Sequence, residues 1–363
     1  MGPTRTFGDY SAKHENNYDF VRFVLASLVV FAHGFHALNR SGAFYEPMLG
    51  VTRDQLQLGH LAVHGFFIIS GWLVTQSWQR SGRFVDFLRK RALRIYPAYL
   101  VSYLLTLFVI APLGGMTWEQ YWHELNLPLS FVKMVLLRGF GGFTAFPHNP
   151  EHMLNTSLWS IPIEFGCYLM IAAFAVFRAC RVRAVVAGAI FLYLAVTVGK
   201  LSDWSGFDYY FGFAEYVDSF LIGSSYFLLR DRIPFSGRIA AVALAAFVIA
   251  ACVPPLMRFV LPLTVPYMLF YFVYNRKIDI HGWGRHADLS YGIYLWGWPF
   301  QQLITYWFEP NLNGITLFLL VMPILCGIAF LSWKFVEAPS LRLKQRAPRP
   351  AVVQPGVRPS PRP

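Results

Sequence analysis

The sequence predicts an all-α polytopic membrane protein with about ten transmembrane helices and both termini in the cytoplasm. Three observations lead there. Of 363 residues, 56% are hydrophobic and only 14% charged, whereas a soluble domain carries about 25% charged residues. Thirty-four phenylalanines and eleven tryptophans add an aromatic load that suits lipid contact and interfacial belts. Apolar runs long enough to cross a bilayer, about 20 residues each, also recur from one end of the chain to the other.

The runs fall at 19–38, 60–79, 95–113, 157–179, 184–200, 208–229, 238–254, 258–274, 288–308 and 315–335. Only Val253-Pro254-Pro255-Leu256-Met257 separates the seventh from the eighth, and Pro262 and Pro266 interrupt the eighth. Membrane helices tolerate proline because neighbouring groups satisfy the freed carbonyls. Met1–Tyr18 is polar and leads into a run of full spanning length, so the first helix is expected to be retained rather than removed as a signal. Residues 1–18 are then a cytoplasmic segment and 19–343 the membrane domain. Residues 344–363, rich in Pro and Arg, are expected to form a disordered cytoplasmic tail. The longest loop, 114–156, contains the apolar stretch Leu127–Leu137, which is too short to span and is expected to be re-entrant or interfacial.

The net charge is +12. A basic balance can signal nucleic acid, but the distribution argues for membrane orientation. With the N-terminus inside, 24 Lys and Arg fall in cytoplasmic segments and six outside, with Arg22 inside the first span. That asymmetry is the positive-inside pattern, and no nucleic-acid partner is expected. The four cysteines, Cys167, Cys180, Cys252 and Cys326, lie in or beside apolar runs without a CxxC pair, as small apolar residues rather than a disulfide framework.

Chemistry concentrates on a few ionisable side chains inside the spans, where they are costly and usually face a cavity. Arg22 and His33 lie eleven residues apart on the first helix, which returns them to nearly the same face with a rise of about 16 Å. Asp19 is placed at i,i+3 to pair with Arg22. His36, His60 and His64 are expected at a depth similar to His33. Histidines at i,i+4 can share a metal ion, but no cysteine or close carboxylate completes a ligand set, so a polar vestibule is expected and no metal. Glu164 lies two turns into the fourth run, where it could orient a histidine, hold a sugar hydroxyl or tie helices together. Glu215 and Asp218 form an acidic pair in the sixth run, as candidate partners for Arg22 or for substrate. In the basic loop 87–97, Arg91 and Arg94 at i,i+3 can anchor the membrane or present a cationic face to an anion such as a nucleotide diphosphate.

Taken together, these segments resemble the acyltransferase-3 family of bacterial membrane O-acyltransferases, which modify surface polysaccharides. The resemblance rests on Asp19, Arg22 and His33; on Phe66-Phe67-Ile68-Ile69-Ser70-Gly71; on Arg91, Arg94, Ile95 and Pro97; on Leu158 to Glu164; on Ser290-Tyr291-Gly292-Ile293-Tyr294-Leu295; and on Phe335-Val336-Glu337-Ala338-Pro339, across roughly residues 17–343. The chain departs from many relatives at His64, where they carry an acidic residue, and at Gly297, where they carry histidine.

The resemblance implies an enzyme of the bacterial cytoplasmic (inner) membrane that moves an acyl group, acetyl by family precedent, from cytoplasmic acyl-CoA to a hydroxyl of a surface glycan or lipid-linked sugar. His33 would be the general base. Arg91 and Arg94 would bind the donor, Arg22 would guide its acyl arm, and Ser70 would stabilise the oxyanion or, as a variant, carry an acyl group as His33 also could. Glu164 would support the site. A transporter or flippase for a lipid-linked sugar is the rival from another class, and a non-catalytic partner of polysaccharide assembly a third. The ordered motifs and the lack of an internal repeat of the transporter kind favour the enzyme.

Overall fold

A computed structural model describes residues 5–11, 16–39, 46–81, 83–176, 182–202 and 211–343. Among these residues every regular element is helical, and β pairing is confined to two isolated bridges, Thr6–Pro234 and Thr144–Met153. Ten helices have fifteen residues or more: α1 (Tyr18–Ala37), α2 (Leu58–Ser81), α3 (Phe84–Leu105), α4 (Ser160–Val176), α5 (Val182–Leu201), α6 (Ala214–Leu228), α7 (Gly237–Cys252), α8 (Met257–Tyr274), α9 (Ser290–Phe308) and α10 (Gly314–Ser332). Each corresponds to one expected run. The tail 344–363 and Cys180 lie outside the described residues.

Seven helical segments are long and apolar enough to cross a membrane: α1, α2, α3 with its extension to Leu113, α4 with its preceding turn, α5, α8, and α10 with its extension to Arg342. The other three fall short for different reasons. α6 and α7 have only 15 and 16 residues. α9 has 19, but its two glutamines and its hydroxyl-bearing residues make it less apolar than a lipid-facing span, and the bundle wraps it almost completely. Its glutamines are satisfied by protein: Gln301 Nε2 donates to Val30 O at 2.6 Å and Gln302 Nε2 to Glu151 O at 2.6 Å. A helix shielded from lipid need not be apolar all round.

The helices have two distinguishable ends. Asp19, Arg80, Lys90, Gly284 and Leu341 gather at one, here called the basic end. His60, Lys200, Glu215 and Arg258 gather at the other, the far end. Helices α1, α2 and α9 run between them. Two of the chain extensions matter for the site. α10 passes through a π-helical turn, Trp333–Glu337, which buries Glu337 at the basic end. The N-terminal segment is tied down there by Phe7, fully buried against Phe235 and Tyr267, and by backbone bonds to Arg230 and Ile233. The Leu127–Val135 stretch is a nine-residue helix with no buried residue and with Leu129, Phe131 and Val132 exposed.

Helices α2 and α6 pack backbone against backbone. A Cβ added at Gly71 would meet the Phe220 carbonyl oxygen at 2.0 Å, and one at Gly223 would meet the Ile68 carbonyl oxygen at 2.0 Å. In lipid, small residues of this kind let backbones approach where no hydrophobic driving force brings helices together. Ser224 Oγ adds a bond to Gly71 O at 3.2 Å. Gly71→Ala is therefore expected to lower thermal stability, by about 1–3 kcal/mol as for other overpacked sites, whereas Gly166→Ala, in open space, serves as a silent control. Unfolding followed by size-exclusion in detergent measures both.

Candidate active site

At the basic end, a carboxylate and two guanidiniums meet. Asp288 precedes α9 and accepts from Arg94 Nη2 at 2.5 Å and from Arg22 Nη2 at 3.1 Å through Oδ2. Its Oδ1 takes Ser290 N at 3.2 Å and Ser290 Oγ at 2.6 Å, an Asx-type turn that fixes the head of α9. Arg22 also pairs with Asp19, one turn back on α1, and Arg94 Nη1 lies 3.7 Å from Glu337 Oε2. Burial opposes ionisation of Asp288, but Arg22 and Arg94, with the Ser290 hydrogen bond, overcome it and hold the carboxyl well below the usual carboxylate range.

Arg91 is different. Its Nη2 donates to Ser77 Oγ at 2.9 Å and the guanidinium lies 5.7 Å from the Tyr168 ring centroid. Its buried Nε has no partner, and no carboxylate salt-bridges it among the described residues. Arg91, Arg22 and Arg94 line a vestibule of about 490 Å³ at the basic end, with Arg80 and Lys90 at its rim. The same three arginines line a second, narrower cavity of about 130 Å³ that runs inward between α2, α3, α4 and α9.

Inside that cavity, α2 and α4 meet through a hydroxyl–carboxylate cluster. Ser70 Oγ donates to Glu164 Oε1 at 2.9 Å, and Tyr168 OH, one turn along α4, donates to the same oxygen at 2.5 Å. Further in, Tyr294 OH on α9 lies 2.7 Å from Ser160 Oγ and donates to Ser157 O at 2.7 Å. Ser157 Oγ is 3.5 Å from His33 Nδ1. His33 stands edge-on to Trp298 at 5.2 Å. It does not line the cavity with Ser70 and Glu164 but sits behind its inner end, reached through Tyr294 and Ser157. The result is a polar path from a cationic vestibule to a histidine, with apolar walls from Phe66, Phe67 and Leu73.

Several expectations are corrected. The four histidines do not all line one cavity. His36 lies on the His33 side, 5.6 Å from Trp298 and 3.8 Å from Glu151, while His60 and His64 line a separate far-end cavity and His64 Nδ1 bonds Ser219 Oγ at 2.7 Å. Neither Glu215 nor Asp218 partners Arg22: Glu215 pairs with Lys200, and both acids line the far-end cavity. The residue that does partner Arg22, beside Asp19, is Asp288. Asp288, Tyr168 and Ser157 were not singled out from sequence. Asp288 had one available signal, its place two residues before Ser290. Among the described residues, no group of three His, Cys, Asp or Glu is arranged to hold a metal.

Comparison with known proteins follows this geometry. A family model described as an acyltransferase domain matches residues 15–334. The chain is 31% identical over 159 residues to an O-acetyl transferase of Shigella phage Sf6, covering 43% of this chain and 45% of that protein. It is 29% identical over 174 residues to nodulation protein 10 of Rhizobium leguminosarum bv. viciae, covering 47% and 46%. It is 30% identical over 119 residues to acyltransferase MdmB of Streptomyces mycarofaciens, covering 31% and 27%. The matched stretch is thus less than half of each relative's length. No solved structure matches the chain.

Proposed function

Because the chain belongs to the acyltransferase-3 family, we propose that it is a multi-pass membrane O-acyltransferase that moves an acyl group, acetyl first among the candidates, from acyl-CoA to a hydroxyl of a surface or lipid-linked glycan. The basic end faces the cytoplasm and the far end the opposite side, in a bacterial inner membrane crossed about ten times. The observation that carries this reading is the polar path itself: a vestibule with cations at one end and a histidine about 16 Å further along α1, joined by a narrow cavity.

The donor's phosphates sit in the vestibule against Arg91, Lys90 and Arg80, whose charges no carboxylate in the vestibule neutralises as Asp288 neutralises Arg22 and Arg94. Its acyl arm runs inward past Leu73 and Phe66, between apolar walls that exclude water. The acceptor hydroxyl oxygen bonds to the thioester carbonyl carbon as His33 takes its proton. Ser70, held with Tyr168 by Glu164 at the depth of Arg22, lines the path of the acyl arm. Collapse breaks the carbon–sulfur bond, the CoA thiolate leaves with the proton that His33 accepted, and the ester remains on the sugar.

The test of function is acyl-CoA-dependent ester formation on surface glycan, read by mass spectrometry with and without the gene. Flux of a lipid-linked sugar without acyl transfer would instead indicate a transporter. Arg91→Ala should raise the KM for acyl-CoA about tenfold or more, the order expected for loss of a hydrogen bond to a charged group, with kcat much less affected. An unchanged KM would leave Arg91 only an anchoring role.

A further inference from the structure

The segment between α3 and α4 carries two cations that the proposed chemistry does not use. Tyr121 OH donates to Leu107 O at 3.1 Å. Further along the chain, Tyr96 OH donates to Val135 O at 3.0 Å and Tyr99 OH to Arg138 O at 2.6 Å. The segment therefore descends beside α3 from Leu107 to Tyr96, eleven residues or about 16 Å, within the stretch Phe84–Leu113 that is long and apolar enough to span. The Leu127–Val135 helix is thus re-entrant, with Leu129, Phe131 and Val132 exposed. Leu137, at φ 58°, ends the descent in the left-handed region, and the chain turns back at Arg138. Lys133 and Arg138 then lie within the depth of the span, where a cation is costly and needs a partner. Both line a groove of about 920 Å³ between this segment, α4 and the start of α6, within the range of small-molecule sites. Lys133 Nζ donates to Phe140 O at 3.1 Å and Gly141 O at 2.6 Å, which fixes the ammonium at the rim without neutralising it. Arg138 is exposed, and among the described residues no Asp or Glu lines the groove.

We infer that this groove holds one anionic glycerophospholipid of the surrounding bilayer, its phosphate against Lys133 and Arg138 and one acyl chain along α4. Charge selects the head. Two cations without an acid are matched by a headgroup of net negative charge, whereas a zwitterionic one would bring a third cation beside them. Shape selects the chain. The floor is apolar from Trp159 past Ile163 to Met170, and an added Cβ at Gly166 would meet nothing within 4 Å. From Trp159 to Met170 is eleven residues, about 16 Å, or roughly one leaflet of a 30 Å hydrocarbon core. A free anion would answer the cations and leave this floor uncovered. The lipid also covers Asn155, which lines the groove and accepts from Ser157 N at 3.0 Å, so it buttresses the turn that presents Ser157 to His33. The inference goes beyond the acyl-transfer reading, and its test uses no activity.

The experiment titrates the full chain, delipidated in a non-ionic detergent, with palmitoyl-oleoyl phosphatidylglycerol or with phosphatidylcholine of the same chains, and counts retained lipids by native mass spectrometry. One phosphatidylglycerol is expected to bind about tenfold or more tightly than phosphatidylcholine, the order expected from two basic side chains. Arg138→Gln should remove most of that preference. Gly166→Phe, which fills the groove from open space on α4, should weaken retention of phosphatidylglycerol about tenfold, and it keeps the test decisive if Arg138→Gln does not fold. Sodium glycerol 3-phosphate, the head without a chain, should not displace the lipid. Equal affinity for the two lipids, or binding indifferent to both variants, overturns the inference. Displacement by glycerol 3-phosphate would make this an anion site without a chain, and tighter binding of undecaprenyl phosphate than of phosphatidylglycerol would give the groove another occupant; either result also overturns it.

Discussion

His33→Ala is expected to lower the turnover of acyl transfer about 10²–10⁴-fold, the usual contribution of a positioned general base, while the KM for acyl-CoA stays near its wild-type value. The split follows from position. The vestibule arginines that meet the donor lie at the other end of α1, about 16 Å away, and His33 touches none of them. What holds the imidazole is local: Ser157 Oγ at Nδ1 and Trp298 edge-on. These contacts orient the ring without a carboxylate. Because Ser157 also receives Tyr294 through its carbonyl, Ser157→Ala should move His33 rather than delete it, with a smaller loss of kcat. His36→Ala is the comparison one turn away, expected to lose less, since His36 is exposed and its contacts run to Glu151 and Trp298. Glycan mass spectrometry and single-turnover kinetics on folded, membrane-inserted protein read all three. If His33→Ala acylates at the wild-type rate, the proton goes elsewhere, and Glu164 in the cavity becomes the base to test.

How much of this was legible in the sequence depends on the range of the interaction. The helices were legible because a bilayer leaves the backbone only intrasegment partners, so apolar length translates directly into helix. The Asp19–Arg22 pair was legible because i,i+3 spacing on a helix fixes proximity. The Ser70–Glu164 contact was not, although both residues were singled out, because 94 positions separate them and only helix rotation decides that they face each other. The same rotation turned Glu215 and Asp218 toward Lys200 and His64 rather than toward Arg22. Asp288 was overlooked for another reason. It sits in a loop without periodicity, and nothing local to it reveals that α1 and α3 bring arginines there from 266 and 194 residues away. Loop residues that terminate on intramembrane cations are the class that hydropathy reasoning passes over.

Removing that one carboxylate has the largest expected structural effect. Asp288→Ala should destabilise the protein by about 3–5 kcal/mol, the range for breaking a buried ion pair from one side, because it leaves Arg22 and Arg94, each about one-fifth exposed, with a shared carboxylate gone. Glu337 lies 3.7 Å from Arg94, too far to take over both. The linkage has a definite sign. Asp288 is held below the usual carboxylate range in the folded state, so its contribution is fully present at neutral pH and is lost progressively as pH falls from the ordinary carboxylate range to that lowered value. Asp288→Asn should therefore resemble wild type in shape but lack this acid-labile increment. The decisive measurement is a double-mutant cycle. Arg94→Met placed on Asp288→Ala removes one stranded charge and should recover part of the loss, whereas Arg94→Met alone should cost stability by uncovering Asp288 and Glu337. Additive losses would mean the three groups are not one network. Recovery would mean that Asp288 neutralises Arg94, which leaves Arg91 and Arg80 as the vestibule guanidiniums free to meet an anionic donor.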